Sequence, residues 1–325
     1  MPIGLVGIIN RIVVRMFLIM IKFRLIIAMA GLLSLIACQK SPPPFKVQTP
    51  EPHLRVAIQK DPLIIQEVGI ERYLMGVLAN ETYASWPKET LMAQAVASRT
   101  YALYRLGHPT HADFDLTASM SDQIFEAKGV TPPSIVEAIQ KTRGQALFFK
   151  DEIIPAFFHS CCGGYTERAS HVWQWAEPYD FLKAKPDPHC DKCKHWYWEY
   201  TISREAFSEK FNQKGYVFPE GWFLQLKKQS RSPRIQEIEI VSPLLFLKPL
   251  RISGVHFRRI MGYANVKSTL MNVEETGSLL TFKGRGYGHG AGMCQWGSRG
   301  LALAGTSYED ILQYYYPETN LIKMY

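Results

Sequence analysis

Apolar positions along this chain change their period several times, and each change predicts an element. Short apolar bursts at 54–58 and 63–68 read as two strands that run into Gly69. From 71 to 79 the spacing turns helical, with Tyr73, Leu74, Val77 and Leu78 in one stripe. A second helix follows. Ser85 is a good N-cap and Pro87 suits the first turn of a stretch reaching about Arg105, where Leu91, Ala95 and Ala102 share a side and small residues permit close approach. Beyond Gly144, residues 145–149 and 153–158 flank Lys150-Asp151-Glu152 as a hairpin. Residues 163–198 read as loop and hold four of the seven Trp. Further strands are predicted over 214–283 with a short helix near 255–261, and Thr306 with Glu309 forms a capping box ahead of an apolar stretch at 311–316. No repeat period stands out. The pattern predicts a mixed α+β fold with a central helix pair and antiparallel strands, in one body or in two lobes without a clean linker.

The N-terminus has a different character. Residues 16–24 mix apolar groups with Lys22 and Arg24, and an apolar run of 13 residues at 25–37 precedes Cys38. That run is short for a spanning helix and reads as the apolar region of a signal peptide, the alternative being a plain N-terminal anchor. Leu35-Ile36-Ala37-Cys38 resembles a bacterial lipobox, which would make Cys38 the lipidated first residue of the mature chain. Met16 or Met20 would be a more usual signal start than Met1. The predicted division is a lipoprotein signal peptide at 1–37, a lipidated Cys38 with a Pro-rich tether at 38–52, and a single functional domain at 53–325. Ser41-Pro42-Pro43-Pro44 supplies the stiff spacer. Lipidation implies the periplasmic face of a cell envelope, with the membrane as a partner through the anchor, and Gln39 resembles an outer-membrane sorting signal.

Composition narrows the classes. With 325 residues, 47% hydrophobic and 20% charged, the chain can bury a proper core, which excludes wholesale disorder. Twenty Pro, 23 Gly and 12% aromatic residues argue against a coiled coil or helical bundle, and no second long apolar run suggests a multi-span membrane protein. The formal charge of +8 includes Arg11, Arg15, Lys22 and Arg24, in a leader without Asp or Glu. Setting those four aside leaves 33 basic against 29 acidic residues in no single block, so nucleic acid is not an expected partner.

From Gly284 to Gly292, glycine occupies every second position. If extended, a period of two puts all five glycines on one face and Arg285, Tyr287, His289 and Ala291 on the other, a bare main-chain floor for a flat ligand. No register fits a dinucleotide fingerprint, and Ser298 follows Gly297 where a phosphate loop needs lysine.

Several separated motifs now point one way. Glu71-Arg72-Tyr73-Leu74-Met75-Gly76-Val77-Leu78-Ala79-Asn80-Glu81, Trp86-Pro87, and Ala93-Gln94-Ala95-Val96-Ala97-Ser98-Arg99-Thr100-Tyr101-Ala102 resemble the SpoIID and LytB family (stage II sporulation protein D). Phe158-His159-Ser160, Gly163-Gly164 with Thr166, Pro186-Asp187-Pro188, Ile252-Ser253-Gly254, the glycine run through Met293-Cys294-Gln295-Trp296-Gly297, and Tyr314-Tyr315-Tyr316-Pro317 follow in family order. The likeness covers about 67–321. It implies a SpoIID-like fold and lytic transglycosylase activity on peptidoglycan strands stripped of stem peptides, with the glutamate at the Glu81 position as the acid.

That chemistry is coherent for one carboxyl group. Most glycosidases pair two carboxylates, but here the muramyl C6 hydroxyl is the nucleophile, so a single glutamate serves as acid and then base. No metal or other cofactor is required for the cleavage. The glutamate must start protonated near neutral pH, which needs a partly desolvated site, and Leu78, Ala79, Tyr83, Trp86 and Pro87 surround Glu81 in sequence. The bland alternative is a carboxylate near a helix start. Gln94 and Arg99 either orient substrate or close a buried polar network. His159, Tyr287, His289 and Gln295 are the other candidate substrate-binding residues, while Glu71, Glu89 and Glu167 read as surface or capping residues.

Six cysteines remain to be placed. Beside Cys38 and a buried thiol at Cys294, the residues Cys161, Cys162, Cys190 and Cys193 form either disulfides or a structural zinc site. A bond between neighbours 161 and 162 is strained, leaving two pairings; the family resemblance favours Cys162 with Cys190. The zinc alternative takes Cys190-x-x-Cys193 with Cys161 or Cys162 and with His159, His189 or His195. A Cys294–His289 nucleophile has no third orienting group. LytB-type relatives also resemble amidase enhancers, so the rival reading is a non-catalytic module that grips glycan and recruits a cell-wall amidase. A lipoprotein bracing the envelope is the third. A role in division fits the resemblance as well as one in sporulation.

Overall fold

The computed structural model describes residues 50–126, 131–228, 232–244 and 248–325; the expected signal peptide, Cys38 and nearly all of the expected tether lie outside the described residues. No helix among the described residues is long and apolar enough to cross a membrane. The architecture is mixed α+β, as the pattern predicts.

The two N-terminal bursts form strands β1 (His53–Lys60) and β2 (Leu63–Gly69), paired antiparallel, and β3 (Leu116–Thr117) joins β1 in parallel. Helix α1 (Ile70–Glu81) leaves β2 directly and buries Ile70, Tyr73, Leu74, Val77 and Leu78. Helix α2 (Lys88–Gly107) has every residue from Thr90 to Leu103 buried, as expected for a helix that other elements enclose on all sides. Small residues at Ala93, Ala95, Ala97 and Ala102 let the neighbours come close. Those neighbours include α1, α3 (Pro133–Lys141), β4 (Gln145–Phe149), α7 (Gln295–Leu303) and α8 (Tyr308–Tyr315). Strand β4 lies between β14 (Asn320–Lys323) and the short β5 (Glu152–Ile153).

Three local expectations shift. Pro87, not Ser85, sits at the N-cap position of α2, because the turn closed by the Trp86 N–H on the Tyr83 carbonyl places Ser85 before it. Ser307, not Thr306, caps α8, accepting the Asp310 N–H at 3.2 Å. The stretch 153–158 is not one strand: Pro155 divides it, and β6 (Phe158–His159) pairs in parallel with β13 (Met293–Cys294). A single turn of helix, α4 (Ala169–Val172), lies in the loop-rich stretch.

A second apolar core lies between two three-stranded sheets and two helices. One sheet orders β11 (Met271–Thr276), β12 (Leu279–Gly284) and β7 (Trp198–Ser203); the other orders β10 (Leu250–Ser253), β9 (Ile235–Val241) and β8 (Phe223–Lys228). Helices α5 (Arg204–Asn212) and α6 (Gly254–Met261) close it with Phe207, Phe211 and Phe257, which meet Trp222 and Phe282. The described residues nevertheless form one compact unit, so the two lobes are two cores of a single body.

Candidate active site

Helix α1 ends where Thr82 turns extended; its N–H and hydroxyl both bond the Leu78 carbonyl, at 3.0 and 2.7 Å. Glu81 is therefore the last helical residue, not one near a helix start. The dipole there opposes a negative charge. Its Oε1 accepts the Ile124 N–H at 3.2 Å, and the Gln295 amide reaches Oε2 over a long 3.5 Å. No cation among the described residues pairs with it. Burial pushes the Glu81 carboxyl above the ordinary carboxylate value, and the two hydrogen bonds only partly offset this.

The donors come from far away in sequence. Gly76 lets the segment at 125–126 lie against α1: a Cβ there would stand 2.6 Å from the Glu126 carbonyl and 2.7 Å from the Phe125 ring. That packing delivers the Ile124 N–H. Gln295 opens α7, whose N-cap Cys294 takes the Gly297 N–H on its sulfur at 3.3 Å. Trp296, next along, meets Trp86 edge to face at 5.4 Å, and Tyr83 packs on Trp86.

An aromatic cleft of about 620 Å³ lies along the same segment. Met120 and Asp122 line it, and Ile124 is two residues further on; its other walls include Tyr101, Trp173, Trp175 and His289. Trp173 and Trp175 stack with ring centroids 5.6 Å apart, and Trp175 is 65% exposed, an open flat face of the kind that binds apolar ligand faces. Asp122 is fully engaged, accepting from Tyr101 and Thr117 and ion-paired with Arg105, so it offers no free second carboxylate.

Of the sequence-predicted residues, the structure brings Glu81 and Gln295 together. His289 lines the cleft with its ring 5.5 Å from that of His159. Burial and neighbouring cations keep both imidazoles neutral, His159 at about 3 and His289 well below its ordinary value. His159 Nδ1–H donates to the Ala291 carbonyl at 3.1 Å. Tyr287 is held elsewhere, exchanging main-chain hydrogen bonds with Cys161 while its ring meets His195. Gln94 and Arg99 are interior. Gln94 donates to Ser98, and Arg99, with no exposed surface, clamps Glu71 at 2.9 and 2.8 Å and also bonds the Gln145 carbonyl. Of the two alternatives for Arg99, the buried polar network is the one observed.

The glycine run departs from the expected groove floor. Gly286, Gly288, Gly290 and Gly292 all have positive φ, so the chain is not extended. Their bare faces are covered by the protein itself: a Cβ would stand 2.5 Å from the Cys161 carbonyl at Gly286, 2.9 Å from His159 Cβ at Gly288 and 2.6 Å from the Arg234 guanidinium at Gly290, and it would overlap the Phe157 carbonyl at Gly292. The run is an internal seam. Two acids set aside as surface or capping residues are also buried, Glu71 in its clamp and Glu167 accepting from Ser232, His171 and the Arg168 N–H; Glu89 does cap, taking the Tyr308 N–H. Sequence reasoning missed the Ile124 N–H, for which no side chain signals, and the Trp173–Trp175 pair, visible only as Trp density in a loop.

Comparison with known proteins adds to this geometry. Residues 59–149 match the family model described as stage II sporulation protein, SpoIID. The chain is 29% identical over 262 residues to an uncharacterised protein of Brachyspira hyodysenteriae, covering 80% of this chain and 68% of that one. It is 29% identical over 297 residues to the amidase enhancer of Bacillus subtilis, covering 76% of this chain but only 40% of that protein. It is 27% identical over 272 residues to stage II sporulation protein D of Bacillus subtilis, covering 79% and 75%. The kinship with the SpoIID and LytB family read from the motifs is supported by these matches.

Proposed function

We propose that the chain is a peptidoglycan lytic transglycosylase acting on glycan strands that lack stem peptides. The observation that carries this reading is the Glu81 carboxyl: half-buried at a helix C-terminus, held by two neutral donors and by no cation among the described residues, its proton affinity is raised. Such a group donates a proton near neutral pH. In the proposed reaction Glu81 protonates the glycosidic oxygen as the C1–O bond breaks, with the electron pair leaving on that oxygen. The resulting carboxylate takes the proton of the muramyl C6 hydroxyl while O6 bonds to C1. No water is consumed, and the product ends in a 1,6-anhydromuramyl residue. The Trp173–Trp175 face and His289, in a cleft that Glu81 does not itself line, offer a neutral aromatic surface for other sugars of the strand.

The test is product analysis. Amidase-stripped glycan incubated with purified protein should acquire 1,6-anhydromuramyl ends by mass spectrometry, and Glu81→Gln should lower that rate about 10²–10⁴-fold. Full cleavage by a folded Glu81→Gln protein would remove Glu81 from the role. The likeness to an amidase enhancer favours a second reading, a non-catalytic module that binds glycan and stimulates an amidase; bound strands with unaltered ends would select it. The same proposal places the domain at the periplasmic face of the envelope, tethered through Cys38, and Cys38→Ala should move the protein to the soluble fraction.

A further inference from the structure

Five cysteines distributed over 161–294 converge in one buried cluster. The sulfurs of Cys162, Cys190 and Cys294 and a carboxylate oxygen of Asp187 all lie within 4.8 Å of one another. They come from three chain segments: the loop after β6, the turn at Pro188–Cys190, and the end of β13. Cys162 and Cys190 sulfurs are 3.2 Å apart. A disulfide requires about 2.05 Å, whereas thiolates on a tetrahedral zinc with Zn–S near 2.3 Å stand about 3.8 Å apart. No disulfide joins any of the five.

The surroundings suit thiolate ligands. Cys294 Sγ accepts two main-chain N–H groups, from Cys162 at 3.2 Å and Gly297 at 3.3 Å. Asp187, wholly buried, is oriented by the Tyr315 hydroxyl at 2.8 Å and the His189 N–H at 3.2 Å, and no ion pair holds it among the described residues. Three thiolates and a carboxylate around a divalent cation leave a net negative charge. Buried Arg234 lies beside them, its Nη2 on the Cys162 carbonyl at 2.6 Å, with Nε and Nη1 unpartnered among the described residues. The histidines do not enter: His159 bonds Ala291, His195 meets Tyr287, and His189 meets Tyr314.

We propose that Cys162, Asp187, Cys190 and Cys294 hold one zinc-class cation, with Cys161 and Cys193 as adjoining thiols outside the ligand set. This differs from the site expected of Cys190-x-x-Cys193 with a histidine, since Cys294 and Asp187 replace Cys193 and the imidazole. The site is structural: all four coordination positions are protein atoms. It also fixes the start of α7, one residue before Gln295, and so sets the donor that meets Glu81. The proposal stands whether or not the protein cleaves glycan.

The test is metal content of the full chain, purified with reductant and without chelator, after dialysis against zinc. One zinc per chain is expected, retained in Cys193→Ser and falling about tenfold or more in Cys190→Ser and Cys294→Ser. Cobalt substitution of the unmutated protein should give thiolate charge-transfer bands in the near ultraviolet, a readout independent of how the variants fold. A chain that retains no zinc, that shows a Cys162–Cys190 disulfide by peptide mapping when folded and metal-free, or that loses its zinc in Cys193→Ser overturns the assignment.

Discussion

The two ends of α1 carry two carboxylates ten residues apart, both drawn out of bulk water and opposite in behaviour. Burial pushes Glu71 upward, but the Arg99 fork, the Tyr325 hydroxyl at 2.7 Å and the Gly144 N–H at 3.2 Å bring its proton affinity below the ordinary value. Burial pushes Glu81 upward too, and two weak neutral donors fail to reverse it. The helix dipole adds to each difference, favouring charge at the first end and opposing it at the second. Depth alone therefore does not make an acid; the partners decide the sign. The surroundings of Glu71 favour its anion, and those of Glu81 favour its proton.

The largest effect that could break this contrast is on stability. Glu71→Ala should cost about 3–5 kcal/mol, because it leaves the wholly buried Arg99 unpaired. Urea unfolding measures it; a loss below about 1 kcal/mol would mean that Glu71 and Arg99 are not the coupled pair described.

How much of this was legible beforehand divides along contact range. Strands β1 and β2, helices α1 and α2, and strand β4 are visible because period and capping are local properties. The Glu81–Gln295 pairing spans 214 positions, and the sequence points to the two residues only separately. Arg99 stood between two roles because its partners, Glu71, Gln145 and Ile139, lie on three other elements. The glycine run departs from its pattern for a physical reason: alternation of glycine is compatible with an extended face and with alternating left-handed turns. What selects the second is the segment at 157–163 packed against it, roughly 130 positions earlier. Cys294 joins the other cysteines through the same non-local seam.

Next in size are the pH dependences, which should have opposite signs. Glu71, lowered in the folded state, contributes stability that is full above the unfolded value of about 4.3 and lost as pH falls through the folded value. Glu81, raised in the folded state, behaves inversely: its contribution is full below about 4.3 and lost as pH rises through the folded value. Stability differences between the parent protein and Glu71→Gln or Glu81→Gln, measured by urea melts from acid to neutral pH, should slope in opposite directions. Parallel slopes would abolish the contrast.

A smaller effect sharpens it. Gln295→Ala removes a donor that favours the Glu81 carboxylate, so the Glu81 proton should be held more tightly still. A hydrogen bond of about 0.5–1.5 kcal/mol corresponds to roughly 0.4–1 pKa unit. Carbon-13 NMR of labelled glutamate side chains reads this directly, and in an active protein the alkaline limb, set by loss of the Glu81 proton, should move to higher pH. The bond is long at 3.5 Å, which puts the expected change at the low end of that range. A downward shift would mean that Gln295 presents its carbonyl oxygen to a protonated Glu81, reversing the donor but leaving the acid in place.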